Sequence, residues 1–189
     1  MLSGTLEQWV DESAVIRALG YNFETEEAVV LAEGIISDDG SFSLTLPVEE
    51  GVADALFTFD SDNFCATYQF DGGGDIRSTL EVVPSSVGLA IVGFFVYESA
   101  YSSEDEIIGD VLVTDDSYEV AINFNYAALD ATIRGDCINT LSADFTSTDT
   151  YDLGLKAGWN KVMSVPTPDG RSLLTEPVPE DIRWSFIER

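Results

Sequence analysis

Carboxylates are the side chains in this sequence with the most chemistry to offer. Asp60-Ser61-Asp62-Asn63 and Asp71-Gly72-Gly73-Gly74-Asp75 bracket one apolar segment, and Glu104-Asp105-Glu106 lies just ahead of Asp110. Calcium is a hard ion that takes about six to eight oxygen ligands, so acids gathered in turns are its natural donors. Asp60, Asp62, Asp71, Asp75, Glu104, Asp105, Glu106 and Asp110 are therefore the candidate metal ligands, with solvated acidic turns as the alternative. Neither cluster has the spacing of an EF-hand loop, and calcium is the only cofactor the sequence suggests. Two facing carboxylates could also act as the acid and nucleophile of a glycoside hydrolase. With 35 Asp and Glu in 189 residues, however, such pairs arise by chance and identify no catalytic residue.

Composition removes most other chemistry. The chain has no histidine, so it lacks the commonest general base, the Ser-His and Cys-His pairs, and the usual ligands of zinc, copper and iron. Gly72 to Gly74 has neither the spacing nor the following lysine of a phosphate-binding loop. Eight Lys and Arg against 35 acids leave a net charge of −27, which repels nucleic acid and anionic membranes. The same charge opposes the compact state by self-repulsion, so stability is expected to depend on salt or on bound cations. Hydrophobic residues still make up 45% of the chain, enough apolar surface to fold rather than stay disordered. The expectation is a folded, non-enzymatic protein that does not bind nucleic acid.

Cys65 and Cys137 are far apart in sequence and form no CxxC or other metal-ligand spacing. A disulfide is the favoured reading, worth about 4 kcal/mol in the loop-entropy model, against the alternative of two buried free thiols. A disulfide implies export. The amino terminus MLSGTLEQWV has no basic and apolar leader regions, so the expected location is extracellular or the cell envelope, with the leader absent from this chain. Trp9, Trp159 and Trp184, with Tyr97, Tyr101 and Tyr151, could stack sugars on an exposed platform. Core packing is the favoured role, because aromatic side chains dominate core energetics.

The stretch that must organise everything else is Val87–Tyr97, VGLAIVGFFVY, which carries no charge. It is too short to cross a bilayer as a helix, which needs about 20 apolar residues. Its β-branched and aromatic content favours a strand with both faces buried. Further strands are expected at Gly4–Val10, Ala14–Leu19, Val52–Phe59, Phe64–Phe70, Leu129–Ile138, Thr150–Leu155, Asn160–Val165 and Arg183–Ile187. Hairpins join Ala28–Ile36 to Phe42–Leu46 and Ile107–Thr114 to Ser117–Phe124, each around an acidic turn. Ile76–Val83 reads either as a strand or as a short helical turn. The Pro/Gly-rich segment Pro166–Pro179 is expected to be irregular. Many short strands without an amphipathic helix predict an all-β protein: a single-domain antiparallel β-sandwich, immunoglobulin-like or jelly-roll-like, over residues 1–189, with a barrel as the alternative.

Taken together, the opening SGTLEQW, the hairpin AEGIISDDGSFSLTLP, the second cysteine in RGDC, the run DLGLKAGWNKV and the terminal RWSF resemble a group of uncharacterised bacterial secreted proteins, often lipoprotein-like, with a short all-β domain after a removed leader. The resemblance implies export, an envelope or extracellular location, and a Cys65–Cys137 bridge. It implies no catalytic residues. Partners on this reading are envelope proteins or carbohydrate. This chain departs from the group in its acidity and in lacking an amino-terminal lipid-attachment cysteine.

Overall fold

The computed structural model describes residues 1–9, 14–22, 25–61, 65, 75–98, 107–115, 120–142, 145–177 and 182–189. Its strands are β1 (Leu2–Glu7), β2 (Ala14–Asn22), β3 (Glu27–Ile36), β4 (Ser41–Leu44), β5 (Phe57–Asp60), β6 (Asp75–Ser78), β7 (Glu81–Val83), β8 (Ser86–Tyr97), β9 (Ile107–Asp115), β10 (Ala121–Ala127), β11 (Ala131–Ser142), β12 (Phe145–Leu155), β13 (Gly158–Thr167), β14 (Gly170–Leu174) and β15 (Ile182–Glu188). Two short 3-10 turns, Glu49–Gly51 and Ala53–Ala55, precede β5. Among the described residues no helix is long and apolar enough to cross a membrane. The all-β expectation is met.

Chain contacts divide the protein into two compact units. Unit 1 comprises Met1–Leu56, Ala90–Phe124 and Pro179–Arg189, and unit 2 comprises Phe57–Leu89 and Asn125–Val178. β8 serves both, and its burial pattern records the change. Val87 and Leu89 are buried in unit 2, whereas Ala90, Val92, Phe94 and Val96 are buried in unit 1. The buried parity therefore switches between Leu89 and Ala90. An uncharged strand with two apolar faces can make that switch, because neither face needs water.

Unit 1 closes on itself. Its path runs β8–β2–β3–β4–β1–β15–β9–β10 and returns to β8, a barrel of eight strands rather than two stacked sheets. Closure removes the free sheet edges that an open sheet would have to protect. β1 joins β15 in parallel, with Leu6 opposite Trp184, and all other barrel registers described are antiparallel. Trp184 fills the interior. Its ring meets Phe42 at 5.0 Å and Phe94 at 5.3 Å edge to face, and stacks on Phe124 at 5.8 Å. Gly4 leaves the room for it, since a Cβ there would lie 2.6 Å from the indole.

Unit 2 is built on the β11–β12 hairpin, paired from Ala131 opposite Leu155 to Thr140 opposite Thr146. β12 continues into β14 in parallel, and β14 pairs antiparallel with β13. The other edge of β11 takes β6 and then β7. Between those two short strands the chain presses on Gly135, whose φ is +119° and whose Cβ would meet the Thr79 carbonyl at 2.4 Å. Only glycine fits there. The core joins the Cys65–Cys137 disulfide to Phe57, Phe59, Ile133, Tyr151, Leu153 and Leu155, among others.

Several local expectations are corrected. The barrel, not the sandwich, describes unit 1. Val52–Phe59 is not one strand, because 3-10 turns occupy Glu49–Gly51 and Ala53–Ala55 before β5 begins at Phe57. Of the two readings of Ile76–Val83 the strand holds, as β6 and β7 with the contact to Gly135 between them. Pro166–Pro179 is not irregular throughout, since β14 lies within it between β12 and β13. Phe64–Phe70 lies outside the described residues except for Cys65.

Trp184→Ala is expected to lower the unfolding free energy of unit 1 by about 3–5 kcal/mol, the usual cost of emptying a buried aromatic site. Denaturant unfolding checks this, and a loss below about 1 kcal/mol would contradict the assigned core.

Candidate functional site

Of the candidate calcium ligands, the described side chains are those of Asp75 and Asp110. Asp62, Asp71, Glu104, Asp105 and Glu106 lie outside the described residues, as does the side chain of Asp60. Asp75 opens β6 in unit 2 and accepts hydrogen bonds from Arg77, 2.8 Å from Nη2 and 3.2 Å from Nε. Asp110, on β9 in unit 1, accepts two hydrogen bonds of 2.8 Å from Arg189. That carboxylate holds the Arg189 guanidinium above its ordinary pKa through the hydrogen bond. Both described acids are thus occupied by arginine. Among the described residues no group of three or more Cys, Asp or Glu could hold a metal ion.

Three arginines stand in register with acids across the sheets. Arg17 lies in register with Glu33, Arg134 with Asp152 and Arg171 with Asp149, each on the neighbouring strand. Each of these arginines donates its Nε proton across the pair at 2.8–2.9 Å. Arg183 reaches Glu7 at 2.8 Å from β15 to β1. Asp149 is 4% exposed, so the Arg171 bond meets a carboxylate that has left water. The arginines therefore neutralise particular strand pairs and leave most of the acid uncompensated. That excess is unequal: unit 1 holds twenty-three of the carboxylates and three of the cations, a net of −20, and unit 2 holds twelve and five, a net of −7.

Among the described residues the candidate aromatics do not form an exposed row. Trp184, Tyr97 and Tyr151 are buried. Trp9 is half-buried with its ring edge-on to Phe186 at 5.2 Å, and Trp159 is half-buried against Tyr126 at 5.3 Å. Tyr101 lies outside the described residues. Cys65 and Cys137 form the expected disulfide, with the two residues 2% and 0% exposed.

The LKAGWN run closes the β12–β13 turn. Asn160 Oδ1 accepts the Lys156 N–H at 2.8 Å, while its Nδ2 donates to the carbonyls of Lys156 at 2.8 Å and Gly158 at 2.9 Å. Asp130 accepts the Ala157 N–H at 2.9 Å and the Lys156 ammonium at 3.1 Å. The motif is thus a structural lock.

Surface depressions remain as places for a ligand. One of about 190 Å³ lies between Val83, Thr132, Gly154 and Lys156 in unit 2. A wide, shallow one of about 460 Å³ borders the β3–β4 turn at Asp38 and Asp39. A third, of about 210 Å³, lies in the barrel wall of unit 1 where β9 passes from β8 to β10. No family model, curated protein or solved structure matches this chain.

Hydrogen bonds from the Ala157 N–H and then from Lys156 hold the Asp130 carboxyl below its usual range, and those from Ser41 do the same for Asp39. A depressed pKa means stability that is complete above the unfolded value of about 3.9 and lost as pH falls through the lower folded value. Carboxyl NMR titration should place both midpoints below 3.8. Midpoints at or above that value would contradict the turn geometry.

Proposed function

We propose that this protein is an exported, non-enzymatic β module of the cell envelope or extracellular space, with a binding or structural role. The observation that carries the reading is the Cys65–Cys137 disulfide in the core of unit 2, 2% and 0% exposed. A bridge of this kind forms where the environment is oxidising. Two further features support it. The chain has no histidine, and the described acids of the candidate clusters, Asp75 and Asp110, are engaged by arginine.

The test has two arms. Protein made in an oxidising compartment should contain no free thiol, and the double variant Cys65→Ser with Cys137→Ser should be less stable by about 4 kcal/mol, the loop-entropy estimate. Equal stability of oxidised and thiol-free protein would remove the support for export. A panel of chromogenic glycosides and polysaccharides should show no turnover. Hydrolysis abolished by changing one acid to its amide would overturn the non-enzymatic reading.

A further inference from the structure

The depression in the barrel wall has a defined construction. β9 pairs with β8 from Ile107 to Val111 and with β10 at Thr114, so Leu112 and Val113 lie where the strand changes neighbours. From Ala90 onward the even residues of β8 face the interior with Trp184, which leaves Gly93 and Phe95 on the outer face. Gly93 lies on the floor beneath the Phe95 ring, whose Cε2 stands 2.8 Å from where a glycine Cβ would be. Phe95, Leu112, Ala121 and Asn123 form the walls, and Leu112 is 46% exposed. Asp110 completes the rim with its charge already neutralised by Arg189, whose guanidinium also lies 5.6 Å from the Phe95 ring centroid. The rim is therefore neutral and largely apolar, on a unit that carries −20.

A volume of about 210 Å³ is below the roughly 300–1,000 Å³ of small-molecule sites. It suits a single apolar side chain. Electrostatics decides what kind of chain can bring one. A copy of this protein would approach against its own charge, whereas a basic segment is attracted over the whole unit and steered towards it. We propose that the barrel unit binds a cationic protein segment that inserts one apolar or aromatic side chain between Leu112 and Ala121, against the Phe95 ring. This rests on the reading of the protein as a binding module and names the partner's chemistry.

Two synthetic peptides test it on the full-length oxidised protein: one phenylalanine flanked on each side by three lysines, and the same peptide with alanine at the centre. Affinities are read by fluorescence anisotropy at about 0.1 M and about 0.5 M sodium chloride. The phenylalanine peptide should bind about tenfold tighter, as expected for partial burial of one aromatic ring. Both affinities should fall with salt while their ratio holds. Ala121→Trp fills the depression from an exposed strand position and should bring the ratio to about one. Leu112→Ser should reduce it, with thermal unfolding of both variants checked against the parent. Equal binding of the two peptides would overturn the proposal, because charge alone would explain it, and so would a ratio unchanged by Ala121→Trp or no binding at all. None of these results touches the export and turnover tests of the module itself, which fail or succeed separately.

Discussion

Repulsion among 35 carboxylates is the constraint that the rest of this structure answers. Like charges on a small fold oppose compaction, and only apolar burial, covalent linkage and local neutralisation can offset that. The two units rely on these in different proportions. Unit 1 bears the larger excess of charge and is closed as a barrel around Trp184, Phe42, Phe94 and Phe124. Unit 2 bears less, and adds a disulfide to its core.

The scarce cations are used economically. In-register cross-strand pairs bring opposite charges close on one sheet face, and Arg17, Arg134 and Arg171 each have a carboxylate in that position. Exposed pairs of this sort contribute little to stability singly. The Arg171–Asp149 pair differs because its acid is buried, and an unpaired carboxylate there would be costly. Asp75 and Asp110, which the sequence offers as metal ligands, are likewise engaged by arginine.

Much of the architecture was legible in the sequence. Apolar patterning and turn residues located β3, β4, β9 and β15 to within a few residues, and an uncharged run rich in β-branched and aromatic residues located β8. The disulfide was legible from two cysteines without metal-ligand spacing. Closure was not, since sandwich and barrel strands share the same period and differ only in which strands pair at the ends. Nor was the division into units, because the parity switch between Leu89 and Ala90 is silent in a strand that is apolar on both faces. β14 was hidden by the Pro and Gly around it, where its pairing with both β12 and β13 overrides local propensity. The Asp110–Arg189 pair was not legible either, because its partners are 79 residues apart, whereas Arg77 lies two residues from Asp75. The wall depression depends on three strands meeting at Gly93, Leu112 and Ala121, which no local pattern reveals.

Hydrogen exchange resolved by segment, at about 0.05 M and about 0.5 M sodium chloride and constant pH, tests most directly whether charge limits the two units unequally. The account predicts that protection in β1–β4, β9 and β15 rises clearly with salt, while β11–β14 change little. Equal gains in both sets of strands, or a larger gain in β11–β14, would contradict it.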